Sequence, residues 1–295
     1  MGWRKTVAVG AIKNVIPFKP QIRSLKRQIT GYAPNPSNMA TTIADCERIL
    51  SALERQDRSI DGITGLEIGS GWFPTIPLIM RLLGAQKYYL TDINPYLDGV
   101  TYAATCRYLL ENIEALATRF GFDPDQAREK IAQWTTIEEA GLTYLCPFNI
   151  ADVPDDALDL ITSRTVLEHI PPQDLTALHA ALKPKLKSAG LAVHVVDESD
   201  HFEHADHSIS RVHFLTMSSA AWGFANWAYD YQNRLRHHQF NPLFESAGYT
   251  VLDETAVVHE DTRDAVPTLD LKPPFDAMTA EQIAVLTSVF VLAPA

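Results

Sequence analysis

The chain has 295 residues, 46% of them hydrophobic and 21% charged, enough to bury a full core in one large domain with additions. A formal net charge of −11 argues against non-specific nucleic-acid binding, and no apolar run is long enough to span a bilayer. Cys46, Cys106 and Cys146 are odd in number and lack metal-like spacing, which fits a reducing compartment, so a cytoplasmic location is expected.

Residues 1–44 contain no acid but carry Arg4, Lys5, Lys13, Lys19, Arg23, Lys26 and Arg27. Two readings stay open for this run: a solvated terminus, or an arm touching anionic substrate or an anionic membrane surface. Pro17, Pro20, Pro34 and Pro36 break any long element before residue 36. Ser37 can cap a helix running to about Arg55, with Met39, Ile43, Cys46, Ile49, Leu50 and Leu53 on one side. Residues 1–59 therefore read as an N-terminal helical extension or lid, and 60–295 as the main domain.

That domain is organised around Gly65-Leu66-Glu67-Ile68-Gly69-Ser70-Gly71, a strand at 64–68 that enters a glycine turn and then a helix at 76–83. Strands are expected next at 87–91, 143–146, 158–163 and 191–196. Helical patterns fill 96–119, 125–139 and a stretch opened by Pro171 and Pro172, carrying Leu175, Leu178, Leu182 and Leu186 and closed by Gly190. Residues 200–248 break the pattern and read as an insertion after the fifth strand. A short helix at 242–247, strands at 250–258 and 285–292, and a loop at 260–281 complete the chain. Alternating strands and helices mean an α/β fold with a mostly parallel sheet, closed by an antiparallel hairpin at one edge.

In such sheets ligands lie beyond the carboxyl ends of the strands. Gly69–Gly71, Asp92, the 149–152 stretch, the 163–168 stretch and Asp197 all fall there. An acid about 20 residues after a glycine turn suits the ribose of a nucleotide, and Asp92 has that spacing. A dinucleotide fingerprint wants a third small residue where this chain has Pro74.

These residues resemble the class I S-adenosylmethionine-dependent methyltransferases. Residues 66–71 look like that family's first motif and 89–92 like its ribose acid. Residues 159–170, ending Leu167-Glu168-His169-Ile170, look like its fourth-strand motif, and 189–197 like its fifth. The resemblance implies a Rossmann-like seven-stranded sheet with helices on both faces and an antiparallel last strand, with S-adenosyl-L-methionine as cofactor. It implies that the backbone of Gly69, Ser70 and Gly71 lies against the methionine moiety, that Glu67 reaches its amino group, and that Asp92, followed by Ile93, takes the ribose. For adenine it implies Asn149 with the backbone of Ile150, Asp152 being the alternative. Ser163 and Arg164 would line the cofactor face.

Methyl transfer from a sulfonium needs an aligned acceptor and, for a hydroxyl, a base. His204, His207, His201 and His169 are the candidates in that order, with Asp200 and Asp206 placed to orient an imidazole. The spacing of His201, His204 and His207 is too loose to assign a metal, and none is expected. His169 could instead cap the helix that starts near Pro171. Trp222, Trp227, Tyr229, Tyr231, Asn233, Arg234 and Arg236 suit a sugar or other polyol, the arginines also suit a phosphate or carboxylate, and the alternative for the tryptophans is packing onto the sheet. The 200–248 segment resembles methyltransferases of carbohydrate or secondary-metabolite pathways. The expected activity is O-methylation of a small or medium hydroxylated acceptor, with no nucleic-acid partner. Two rivals are an NAD-dependent oxidoreductase and a non-catalytic subunit that binds the cofactor only to stabilise an assembly.

Overall fold

Seven strands form one sheet in the order β3-β2-β1-β4-β5-β7-β6. They are β1 (Thr64–Ile68), β2 (Lys87–Thr91), β3 (Leu142–Leu145), β4 (Leu158–Arg164), β5 (Leu186–Asp197), β6 (Tyr249–Val258) and β7 (Val285–Pro294). The structure is a computed structural model that describes residues 2–5, 7–8, 34–228 and 231–295. Lys13, Lys19, Arg23, Lys26, Arg27 and Tyr229 lie outside the described residues. β1 to β5 pair in parallel, while β7 runs antiparallel between β5 and β6. The expected Rossmann-like seven-stranded sheet is present, and its reversed strand lies one place in from the edge.

Side chains alternate across the pleat and bury both faces. Along β5, Leu191, Val193 and Val195 join a core containing Ile43, Ile49, Leu78, Ile79, Tyr88 and Leu109. Ala192 and Val196 join the opposite core, with Leu175, Leu182, Phe244 and Phe290. Helices α1 (Pro36–Glu54), α2 (Thr75–Leu82), α3 (Gly99–Glu111), α4 (Ile113–Phe120) and α5 (Pro124–Gln133) cover the first face. α6 (Pro172–Leu182) and α8 (Asn241–Ser246) cover the second, and α7 (Ser219–Ala228) lies in the insertion between them. Residues 36–54, expected in an extension, thus pack in the same core as the sheet.

Three local expectations are corrected. Asn35, not Ser37, caps α1, accepting the Ser37 N–H at 2.9 Å, because Pro36 takes the first helical position and has no N–H to satisfy. The helix after Pro172 ends at Leu182, and Leu186 already belongs to β5. Gly190 therefore closes no helix. It sits at an irregular register against β4, where an added Cβ would lie 2.9 Å from the Leu158 carbonyl oxygen.

The expected loop at 260–281 contains helix α9 (Glu260–Ala265), and α10 (Ala280–Ala284) leads into β7. α10 and the turn after α9 pack with the insertion. Phe202, Val212, Phe214, Leu215 and Trp222 share a third core with Val266, Phe275, Ile283 and Leu286, joined by Val7 and Trp3. This small core forms a cap beyond the ends of β5 and β7. Among the described residues no helix is long and apolar enough to cross a membrane.

Candidate active site

The glycine turn forms where β1 leaves the sheet. Gly69 and Gly71 have φ of +67° and +62°, a region that side-chain-bearing residues seldom adopt. A Cβ on Gly69 would also come within 2.6 Å of Val166 Cγ2. Ser70 ties the turn to β2: its N–H donates to the Thr91 carbonyl at 2.9 Å and its Oγ accepts the Thr91 N–H at 3.1 Å. Asp92 then accepts the Gly71 N–H on Oδ2 at 3.0 Å and the Asn94 N–H on Oδ1 at 2.9 Å. The carboxylate is held by backbone donors on both sides. Ile93, next to it, is 79% exposed at the rim.

Glu67 is buried at the end of β1. Burial pushes its carboxyl pKa up to about 8; the neighbouring Ser70 hydroxyl and Arg164 pull the other way, and Asp92 adds to the rise. Asn149 is exposed and caps the short turn Ile150–Asp152, its Oδ1 accepting the Ala151 N–H at 3.1 Å. Asp152 is exposed on the same turn.

Ser163 and Arg164 diverge. The Ser163 side chain is fully buried under the sheet and bonds His194 Nδ1 at 2.8 Å, so only its backbone faces the sheet edge. Arg164 points back to α1, where its Nε donates to Asp45 Oδ2 at 2.7 Å. The next residue, Thr165, has φ of +49°, a strained conformation for a β-branched side chain, and its N–H is held by the Val195 carbonyl at 2.8 Å. This kink turns the chain so that Val166 rests on Gly69 and the turn Leu167–His169 lies at the mouth of the sheet.

His169, His201 and His204 come together there. The His169 and His201 ring centroids are 5.0 Å apart, as are those of His201 and His204. His169 Nδ1 donates to the Tyr231 carbonyl at 2.7 Å, which leaves the ring's other nitrogen, Nε2, as the acceptor. It does not cap α6. Asp197 Oδ2 lies 3.5 Å from His201 Nε2 and 4.0 Å from His204 Nε2. His201, together with bonds from Ser199, draws the Asp197 pKa well below the usual range despite its burial. Burial and the adjacent His201 lower the His204 pKa. His207 is apart from this group: its side chain is 78% exposed and pairs with Glu203 at 2.9 Å.

The carboxylates expected to orient the imidazoles are otherwise engaged. Asp200 is buried and accepts the N–H groups of Phe202 and Phe214 at 2.8 and 2.7 Å. Asp206 accepts the Trp3 N–H at 2.8 Å. Asp197 and Glu203 take the orienting positions instead.

The polar residues considered for an acceptor are largely structural. Arg236 is fully buried and donates to the carbonyls of Glu198, Ile283 and Val285. Arg234 donates to the Phe214 and Met217 carbonyls and lies over the Trp222 and Phe275 rings. Asn233 Nδ2 donates to the Leu167 and Ile170 carbonyls, both at 2.8 Å, pinning the insertion to the turn after β4. Trp222 belongs to the cap core, while Trp227 is exposed.

Two features escape sequence reasoning. Trp72 stacks on Tyr96 with centroids 4.8 Å apart, closing the glycine turn against the loop after β2. Glu168 is 1% exposed, and neither of its carboxyl oxygens has a well-aligned hydrogen-bond partner. Its place between apolar Leu167 and Ile170 was the available signal that it is buried.

A family model described as a methyltransferase domain matches residues 39–254, the larger part of the chain. The chain belongs to this family. It is a class I S-adenosylmethionine-dependent methyltransferase. S-adenosylmethionine is the methyltransferase's cofactor. The residues at the sheet edge fit it: a turn open enough for close backbone approach, a buried carboxyl for a cationic amino group, and a braced carboxylate for hydroxyls.

Among solved structures, the magnesium protoporphyrin IX methyltransferase of Synechocystis PCC 6803 with bound SAH aligns over 94% of this chain and 96% of its own, at 11% identity and a TM-score of 0.50. The geranyl diphosphate C-methyltransferase of Streptomyces coelicolor A3(2) aligns over 85% and 79%, at 10% and 0.47. An S-adenosylmethionine dependent methyltransferase from Mesorhizobium loti aligns over 82% and 96%, at 12% and 0.43. These identities speak to fold alone. No curated protein matches the sequence.

Proposed function

We propose that the methyltransferase acts on an oxygen of a small or medium hydroxylated acceptor, such as a sugar, polyol or secondary metabolite. The observation that carries this reading is the group of His169, His201 and His204 beside the half-buried Asp197, at the carboxyl end of β5. A hydroxyl must lose its proton during transfer, and imidazoles are suited to accept it.

The bound cofactor supplies an electrophilic methyl group on a sulfonium. In this reading the backbone of Gly69, Ser70 and Gly71 lies along the methionine moiety, and Glu67 takes its ammonium. Asp92 accepts from the ribose hydroxyls with charge-assisted bonds, and Ile93 packs at the rim. Asn149 and Ile150, with Asp152 as the alternative, meet the adenine; Arg164 and the Ser163 backbone complete the wall. His204 is the base, since it stands over Asp197 with more than half of its side chain open to an acceptor. The exposure of His207 away from the group removes it from that role in this account. The cap covers the acceptor side.

The test is a panel of hydroxylated acceptors with methyl-labelled cofactor. An O-methyl product is expected. His204→Gln should lower kcat by roughly 10²-fold, the scale of a lost general base, and leave S-adenosylhomocysteine affinity within about twofold. Transfer only to nitrogen or carbon, or full activity in His204→Gln, overturns the assignment.

A further inference from the structure

We propose that Glu168, His169 and His201 form a binding site for one divalent cation of the Mn–Zn series. One ligand atom from each of the three lies within 4.8 Å of the others, close enough for a single ion to draw them together. Glu168 is 1% exposed and aims a carboxyl group without a well-aligned hydrogen-bond partner into this space. A buried carboxyl left in that condition is costly, and a cation is the natural partner. His201 Nε2 likewise has no aligned hydrogen bond; Asp197 lies 3.5 Å away, a second carboxylate within reach of the same ion.

The supporting bonds are of the kind that hold metal ligands. His169 Nδ1–H donates to the Tyr231 carbonyl at 2.7 Å, fixing the ring and its tautomer. The Asn233 N–H donates to the Glu168 carbonyl at 2.6 Å, and its side chain braces the turn from both ends. Two imidazoles with one carboxylate favour Mn²⁺, Fe²⁺, Co²⁺ or Zn²⁺ over Mg²⁺ or Ca²⁺, which prefer all-oxygen sites. This departs from the expectation of no metal drawn from His201, His204 and His207, because the site uses Glu168 and His169 from the turn after β4.

The site adjoins the glycine turn through the Val166–Gly69 contact. A cation there would hold an acceptor oxygen and acidify its hydroxyl. As the O–H bond breaks, its proton passes to His204, the new C–O bond forms to the methyl group, and the C–S bond breaks. That role rests on the proposed O-methylation; the site itself rests on the side chains alone.

The experiment is titration of chelator-treated full-length enzyme with Mn²⁺, followed by calorimetry and by electron paramagnetic resonance, and with Zn²⁺ by calorimetry. One ion per chain is expected. Glu168→Gln and His201→Gln should each weaken it by at least about tenfold, with S-adenosylhomocysteine affinity and thermal unfolding as controls of folding. Should Glu168→Gln fold poorly, His201→Gln gives the same readout at a less buried position. No uptake of either ion by folded wild-type enzyme, or equal affinity in the folded variants, overturns the site. Ion binding without methylation of any hydroxyl would leave the site standing and defeat the O-methylation reading instead.

Discussion

The backbone N–H of Gly71 donates to Asp92 Oδ2 at 3.0 Å, so the end of the glycine turn and the acid after β2 form one hydrogen-bonded unit. Asp92 thus orders the turn, and in the proposed reading it also binds the ribose. Asp92→Ala removes both functions and should weaken S-adenosylhomocysteine binding by at least about tenfold. Asp92→Asn keeps one acceptor oxygen and should fall between the two. Calorimetry on variants shown to be folded by circular dichroism checks the order; unchanged affinity in Asp92→Ala would remove Asp92 from the cofactor site.

If Glu67 takes the cofactor's ammonium as proposed, cofactor binding is expected to depend on pH. Burial raises its pKa to about 8 in the cofactor-free protein, so it is mostly protonated at pH 7. A cationic amino group favours the ionised form, so binding must release that proton. Affinity should therefore rise as pH increases from 6 toward 8. Calorimetry in buffers of different ionisation heat should show proton release at pH 7 that is absent in Glu67→Gln. Equal proton release in both proteins would place the cofactor's amino group elsewhere.

At Gly69 two penalties coincide: φ of +67° and a Cβ position 2.6 Å from Val166. Gly69→Ala should cost roughly 2–4 kcal/mol of stability. Adding Val166→Ala in the same chain relieves the clash but not the dihedral, so it should recover only part of the loss. Denaturant unfolding of wild type, single and double variants gives the comparison. Full recovery would mean that the backbone there is unstrained.

Below the sheet, Ser163, His194 and His179 form a chain of hydrogen bonds. His179 Nδ1 donates to the Leu175 carbonyl at 2.8 Å, so its Nε2 accepts from His194 Nε2–H at 3.2 Å, and His194 Nδ1 accepts from the Ser163 hydroxyl. Both rings are satisfied only when neutral. Burial holds His179 down at about 4, and burial, together with the repulsion a second proton on the adjacent His179 would bring, holds His194 well below its usual value. The unfolded chain takes up protons below about pH 6.5 while the native pair does not, so stability from this pair is present above that pH and is lost as pH falls toward 4. Buried Glu67, with its raised pKa, acts in the opposite direction, so the comparison must be made against a variant. Between pH 7.5 and 5, wild type should lose more melting temperature than His179→Leu/His194→Leu; equal losses would mean that the pair titrates normally when folded.

Much of the sheet was legible because its cues are local. β1 and β2 are short apolar runs bounded by glycine or aspartate, and the observed bounds match the expected ones. β5 was misread at its start, since Lys187, Ser188 and Gly190 look like a turn until β4 is beside them to accept the pairing. The histidines are visible in the sequence, but their sorting depends on long-range packing: His201 meets His169 where Asn233 and the Tyr231 carbonyl tie the insertion to the turn after β4. Arg236 looked like an anion binder, and nothing local reveals that three carbonyls from distant segments enclose it. Glu168 was visible in the motif, but its lack of a well-aligned hydrogen-bond partner is a property of the folded surroundings.

The most direct measurement is calorimetric titration of the purified full-length protein with S-adenosylhomocysteine and, separately, with NAD. Binding of the first in the micromolar range, with none of the second, is the predicted result. Binding of NAD alone would contradict the account, and Gly69, Gly71 and Asp92 would then have to serve a dinucleotide.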